Sequence, residues 1–267
     1  MQALLCQLAS TRGDPSRDAQ RAADAILAHR DADLAIFPEL YLGGYSYRSL
    51  ESSARTVDDE EMVAVRRACA EAGTAAVVGF AERTDRGLFN AAAIFDAHGE
   101  VAAVYRKTQL FGAERSAFVP GDELVVLPLL GRRVAPLICF DIEFPEPARA
   151  AALAGADLLV TSSANMRPFY VDHEIASKAR AVENRITHLY ANAVGRVDDL
   201  VFVGGSRAVS PLGDLLAEGS QDREELIVVQ VPEPGGVDER VDYLRALQPV
   251  PPVKVLDLAH SRGGSDE

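Results

Sequence analysis

The sequence contains no run of about 18 or more apolar residues, so no membrane-spanning helix is expected. It opens on "MQALLCQLAS", an apolar stretch with no basic leader, which argues against a secretory signal and makes the cytoplasm the expected location. Cysteine is scarce. Cys6, Cys69 and Cys139 have no paired spacing, and three thiols complete no disulfide framework. A reducing compartment is the simpler expectation, and it leaves a thiol free for chemistry. Common site signatures are missing too: no GxGxxG fingerprint, no GxxxxGK[ST] phosphate loop and no HExxH metal site. "GGSRA" (204–208) misses the GxSxG nucleophile elbow by one position. The five histidines occur singly, without metal-ligand spacing, so no metal is expected; His173-Glu174 reads as a surface pair at a helix start. A cationic surplus is also lacking. The formal net charge of −13 opposes attraction to phosphate backbones and anionic lipid, so neither nucleic acid nor membrane is an expected partner.

What remains is an ordinary globular composition, 48% hydrophobic and 25% charged, in a chain long enough for one substantial core. "QALLCQL" (2–8) reads as a buried strand. A helix follows from about Pro15 to His29, with Asp14 as its cap and Pro15 at its first position. "ADLAIFPEL" (32–40) is a short apolar run broken by Pro38. Residues 58–72 read as a helix ending near Gly73, and "TAAVVGF" (74–80) as a strand. "LFNAAAIFD" and "VAAVYRKTQL" flank a hairpin turn at Gly99. The second half repeats this rhythm: strands at "ELVVLPL" and "RRVAPLICF", a helix at "EPARAAALAG", and a strand at "DLLVTSSA". Residues 172–186 then show helical periodicity through Ile175, Ala179, Val182 and Ile186. "HLYANAV", "LVFVGGSRAVS" and "ELIVVQV" complete the set of strands. Alternation without a long linker predicts one α/β domain over 1–258, with 259–267 as a flexible tail.

Charged and nucleophilic residues stand at the ends of apolar runs. Glu39 follows "LAIFP", Lys107 follows "VAAVYR", and Cys139 follows "APLI". A charge directly after a buried strand is costly unless it is paired or faces a cleft, so the three are expected to meet at one edge of a sheet. "FPEL" (37–40), "YRKTQLFG" (105–112) and "ICFDIEFPE" (138–146) together resemble the nitrilase, or carbon–nitrogen hydrolase, superfamily. They occur in family order, and the matching pattern runs along nearly the whole chain. The resemblance implies a Glu-Lys-Cys triad of Glu39, Lys107 and Cys139, with Glu114 in "FGAERSAF" as a second carboxylate beside the lysine. A free thiol has a pKa of roughly 8.5, so attack at neutral pH needs a base or a cationic neighbour. Glu39 would supply the base; Lys107 and the Phe140 N–H would hold the oxyanion. Many relatives have histidine at Gln109, tyrosine at Phe140 and arginine at Glu143. The acid at Glu143 resembles the amidase branch and fits a neutral or amine-bearing amide, though pairing with Arg149 is an alternative. Asn165, Met166 and Tyr45 are candidate pocket residues, each with a plain packing or turn alternative. Cys6 and Cys69 read as small core residues.

The implied fold is α/β, a four-layer α-β-β-α sandwich of the nitrilase type, forming a homodimer or higher homo-oligomer. Segment 168–186 is the expected contact, and "RVDYLRALQP" (240–249) resembles the family's C-terminal element that reaches across a partner. The expected function is hydrolysis of a small aliphatic or amino-acid-derived carboxamide through a Cys139 thioester. N-carbamoyl hydrolysis, nitrile hydrolysis and, from another class, a catalytically idle scaffold remain alternatives. This chemistry needs no metal or organic cofactor.

Overall fold

The computed structural model covers both faces of the central strands, which are buried almost throughout. The structure describes residues 1–235, 238 and 242–254. In chain order its elements begin with β1 (Gln2–Gln7), α1 (Pro15–Ala28), β2 (Leu34–Ile36), α2 (Leu50–Ser53) and α3 (Glu60–Ala72). Then come β3 (Ala75–Thr84), β4 (Gly87–Phe95), β5 (Val101–Arg106), α4 (Glu114–Ala117), β6 (Leu127–Leu129) and β7 (Arg132–Ile138). A single 3-10 segment, Cys139–Glu143, leads into α5 (Pro145–Leu153), β8 (Leu158–Ser163), α6 (Tyr170–Asn184) and β9 (Thr187–Asn192). The chain continues through β10 (Val194–Val197), β11 (Leu200–Val203), β12 (Arg207–Val209), β13 (Leu215–Glu218), β14 (Glu225–Gln230) and α7 (Tyr243–Ala246).

Two six-stranded sheets result, ordered β14-β1-β2-β3-β4-β5 and β13-β12-β9-β8-β7-β6. Each has three parallel strands at its centre, β1-β2-β3 in one and β7-β8-β9 in the other, with antiparallel strands outside them. The rhythm shared by the two halves of the sequence is therefore a shared topology. Alternation along β1 sorts its side chains between two cores. Ala3 and Leu5 join Ile36, Val77 and Ile94 against Val134, Leu137 and Val160 of the other sheet. Leu4 and Cys6 point the opposite way, onto Ala19, Ala22 and Ile26 of α1 and Met62, Val65 and Cys69 of α3. Helices α5 and α6 cover the second sheet. The layers are the expected α-β-β-α sandwich.

Local signals were read well. Asp14 caps α1 by accepting from Arg17 N at 2.9 Å, and Gly73 closes α3 in the left-handed region at φ 71°. Two expectations change. "ELVVLPL" contributes only the three residues of β6, and "LVFVGGSRAVS" splits at Gly204-Gly205, both with positive φ, into β11 and β12. On α6 the helix is where periodicity placed it, but of its apolar stripe only Ile186, past the helix end, is in the core, and Ile175 is 62% exposed. The inner face is His173, Ala176, Ser177, Arg180, Ala181 and Asn184. Hydrogen bonds make that polar face possible, among them Arg180 Nε to Ile142 O at 2.8 Å and Asn184 Nδ2 to Arg180 O at 2.9 Å. The tail expected at 259–267 lies outside the described residues, as does the start of "RVDYLRALQP". The rest of that element forms α7 beside its own α6, with the Arg185 guanidinium 4.2 Å from the centre of the Tyr243 ring.

Candidate active site

Glu39, Lys107 and Cys139 each leave a strand at its carboxyl end. Glu39 follows β2, Lys107 follows β5, and Cys139 follows β7. The meeting point is therefore not an edge of one sheet, as the sequence led us to expect, but the matching ends of two facing sheets. Close backbone packing fixes each position. Gly79 of β3 lies beneath Glu39, where an added Cβ would sit 2.1 Å from Pro38 O and 2.8 Å from Glu39 Cα. Lys107 is pinned on both sides, its N–H donating to Asn90 O and its carbonyl accepting from Gly121 N, each at 2.8 Å. Cys139 has φ 44°, a left-handed conformation that costs a non-glycine residue free energy and recurs at functional sites. The anchor for that turn is Asp141, fully buried. Its carboxylate accepts from Ile138 N (2.9 Å) and Tyr105 Oη (2.8 Å) on one oxygen, and from Gln109 N (2.8 Å) and Thr108 Oγ1 (3.0 Å) on the other. It thus ties the thiol's turn to the loop that follows the lysine.

Lys107 has no exposed side-chain surface, and neither do its two carboxylate partners. Its Nζ donates to Glu39 Oε1 at 2.6 Å and to Glu114 Oε1 at 3.0 Å. Asn90 Nδ2 bridges the same two oxygens at 2.7 and 3.1 Å. Glu39 Oε2 accepts from Ala164 N at 3.0 Å, Glu114 Oε2 from Phe111 N at 2.8 Å, and Tyr45 Oη donates to Glu114 Oε1 at 2.7 Å. Burial pushes the Glu39 carboxyl up to about 7, with Lys107 pulling the other way and Glu114 adding to the rise. For Lys107 burial disfavours the charge, but Glu39, the Cys139 sulfur and Glu114 outweigh it and hold the ammonium charged. Burial and the Glu39 charge raise the Cys139 thiol well above its ordinary value; Lys107, the Ser163 hydroxyl and the Ala164 N–H favour the thiolate. The resting sulfur is thus protonated beside a fixed cation.

Cys139 opens into a cavity of about 290 Å³ lined by Tyr45, Phe111, Phe140, Glu143, Ala164, Asn165, Met166, Phe169 and His173. All five pocket residues named from the sequence are on this wall. Phe111, Phe140 and Phe169 form an edge-to-face group at 5.3 and 5.5 Å between centroids. Asn165 both lines the cavity and builds the turn after β8: its Oδ1 accepts from Met166 N at 2.8 Å and its Nδ2 donates to Phe169 O at 3.0 Å. Glu143 does not pair with Arg149; it lies 3.2 Å from His173 Nε2. His173 itself is no surface residue, being 2% exposed. A second cavity of about 320 Å³ adjoins the first through Tyr45 and Ala164 and reaches Glu39.

Sequence reasoning missed Asn90, Ser163, Tyr190 and His173. The signal for three of them was present: a polar residue inside an otherwise apolar strand, as in "LFNAAAIFD", needs a buried partner. Cys6 and Cys69 are buried as expected, and burial raises the Cys69 thiol to about 12.

A carbon–nitrogen hydrolase family model matches residues 3–235. An (R)-stereoselective amidase from a Pseudomonas species is 38% identical over 227 residues, 84% of this chain and 82% of that protein. A 2-oxoglutaramate amidase from Bacillus subtilis is 31% identical over 220 residues, 81% of this chain and 84% of that one. The solved amidase of Nesterenkonia sp. AN1 superposes with a TM-score of 0.82 at 34% identity, covering 93% of this chain and 96% of that one. One structure of a variant of that amidase has acrylamide added to the active-site cysteine.

Proposed function

This chain belongs to the carbon–nitrogen hydrolase family and hydrolyses non-peptide carbon–nitrogen bonds, and from that premise we propose that it converts a small carboxamide to its acid and ammonia through a thioester on Cys139. The observation that carries this reading is the placement of the Cys139 thiol at the floor of an aromatic cavity, beside an ammonium clamped between two buried carboxylates. Glu39 accepts the thiol proton as sulfur attacks the carbonyl carbon. Lys107 and the Phe140 N–H hold the oxyanion, in a dry site where a fixed charge acts strongly. Collapse of the tetrahedral adduct expels ammonia, which takes its proton from Glu39. Water then attacks the thioester with Glu39 again as base, and the acid leaves. Glu114 keeps Lys107 aimed and charged; Asn90 holds the two carboxylates in place by donating to both. The reading extends to the substrate. No lysine or arginine lines the cavity among the described residues, and its one carboxylate, Glu143, is partly exposed. A substrate carboxylate would find no counter-charge, so a neutral or amine-bearing acyl group of modest size fits best.

The chain acts, on this reading, as a homodimer. Val171 and Ile175 lie one turn apart on the outer face of α6, 55% and 62% exposed, and Leu153 of α5 is 58% exposed. A second copy of the same chain covers that patch.

Ammonia release is the test, measured across aliphatic amides, amino-acid amides, ω-amides, N-carbamoyl compounds and nitriles. Turnover of a neutral or amine-bearing amide, with loss of all but a few per cent in a folded Cys139→Ala, is the expected outcome. Retained activity in that variant removes Cys139 from the mechanism, and a preference for ω-carboxylated amides overturns the substrate class.

A further inference from the structure

Glu143 is a carboxylate without a cation. It stands with Cys139 on the wall of the aromatic cavity. Among the described residues its carboxylate pairs with no lysine or arginine; its partner is His173 Nε2 at 3.2 Å. The Arg180 guanidinium is taken up by Ile142 O (2.8 Å), Glu143 O (3.0 Å) and the Glu183 carboxylate (2.8 Å). Lys107 is likewise committed, clamped between Glu39 and Glu114. Those two carboxylates have no exposed side-chain surface, whereas the Glu143 side chain is 27% exposed and open to a guest. A carboxylate on an apolar wall is costly unless something of opposite charge offsets it.

The groups behind Glu143 hold it as an anion. Ser163, Tyr190 and His173 are all essentially buried. His173 Nδ1 lies 2.9 Å from Tyr190 Oη, which lies 3.0 Å from Ser163 Oγ. Facing a carboxylate, Nε2 must carry the hydrogen, so Nδ1 accepts from Tyr190 and Tyr190 accepts from Ser163. Three buried side chains thus set one tautomer, and it aims an N–H at Glu143. Burial, with Lys107 and Arg207 adding to it, lowers the His173 pKa against the pull of Glu143. The ring is therefore a neutral donor at pH 7. It fixes the direction of the carboxylate and leaves the negative charge uncancelled.

We propose that Glu143, aimed by His173, is the subsite for an ammonium on the acyl part of the substrate, so that amino-acid-type amides are hydrolysed in preference to neutral amides of the same shape. This narrows the carboxamide reading given above and rests on it. The carbonyl carbon meets Cys139 while the ammonium meets Glu143, across one cavity. Phe111, Phe140 and Phe169 wall the space between. Aromatic rings accept a cation where aliphatic walls would only desolvate it, and they cover the carbon skeleton that links the two ends. A neutral acyl chain would fit the same rings but would leave Glu143 unpaired in a drier pocket.

The test is steady-state ammonia release at pH 7 from two pairs of amides matched in shape. One pair is alaninamide, as each enantiomer, against isobutyramide; the other is β-alaninamide against butyramide. In the parent, kcat/KM for the amine-bearing member of at least one pair should exceed that of its neutral partner by about tenfold or more. An ammonium next to a carbonyl also activates it, so a variant is needed to assign the preference. Glu143→Gln keeps the shape and the acceptor for His173, and it should cut that ratio by at least about threefold. A smaller preference in both pairs, or a smaller drop in the folded variant, overturns the subsite. If Glu143→Gln does not fold, inhibition of butyramide turnover in the parent decides. Propylammonium should then compete at lower concentration than 1-propanol, and equal or weaker inhibition overturns the subsite. Failure of the underlying reading looks different. No ammonia from any of these amides, or full activity in Cys139→Ala, removes the amidase mechanism and the subsite with it, whereas turnover of butyramide without any amine preference removes the subsite alone.

Discussion

At neutral pH a carboxyl with a pKa of about 7 spends half its time ionised, and Glu39 is in that position. The sign of the pH dependence follows. Glu39 must be ionised to take the thiol proton, so kcat/KM should fall about tenfold per unit as pH drops below about 7 and level off above it. A pH–rate profile on a neutral amide checks this; a limb near pH 4 would mean that Glu39 titrates as an ordinary carboxylate. Glu39→Gln should flatten the limb along with the rate. Glu39 and Lys107 drew attention because charge at the end of an apolar run is an exception with few explanations; their grouping with Cys139, and Glu114 altogether, came through the family resemblance. Asn90 and Ser163 were equally exceptional in kind, but a short neutral polar group in a strand has many harmless partners, and only three-dimensional neighbours tell which one it has. His173 was misread because a histidine beside a glutamate at a helix start is indistinguishable, in one dimension, from solvated side chains.

Among the elements, β3 is where packing and chemistry meet most closely. The chain at Pro38-Glu39 crosses it at a distance that leaves no room for a side chain at Gly79. Gly79→Ala should therefore cost about 1–3 kcal/mol by overpacking and, by displacing Glu39, lower kcat by much more than that stability loss would account for. Thermal unfolding and steady-state kinetics on the same preparation separate the two effects; an unchanged kcat would show that Glu39 tolerates movement. Strand and helix identities were readable from period and punctuation, with Pro15, Gly73 and Gly99 marking boundaries correctly. The burial of α6 was not. Its stripe of Ile175, Ala179 and Val182 looked like a core face, but Arg180 donating to Ile142 O, His188 bonding the Ser177 carbonyl and His173 meeting Glu143 hold the polar side inward. Periodicity reports that a helix is two-faced; it does not report which face turns to the core.

For the whole molecule, the outward apolar face of α6 carries the assembly prediction. Sedimentation at micromolar concentration should give the mass of a dimer or larger, and Ile175→Glu should shift it toward the monomer. A monomeric parent would refute the assembly. The four-layer order was legible through the resemblance more than through physics, since nothing in one sequence says that two similar halves lie face to face. That arrangement has a consequence for the life of the thiol. Glu39 and Lys107 belong to one sheet and Cys139 to the other, so neither half of the chain carries a competent nucleophile by itself. During synthesis, and in any loosened state, Cys139 is an ordinary cysteine with an ordinary appetite for electrophiles. On the proposed mechanism the nucleophile and its partners meet only where the two sheets face each other, so either half of the chain alone should show no turnover.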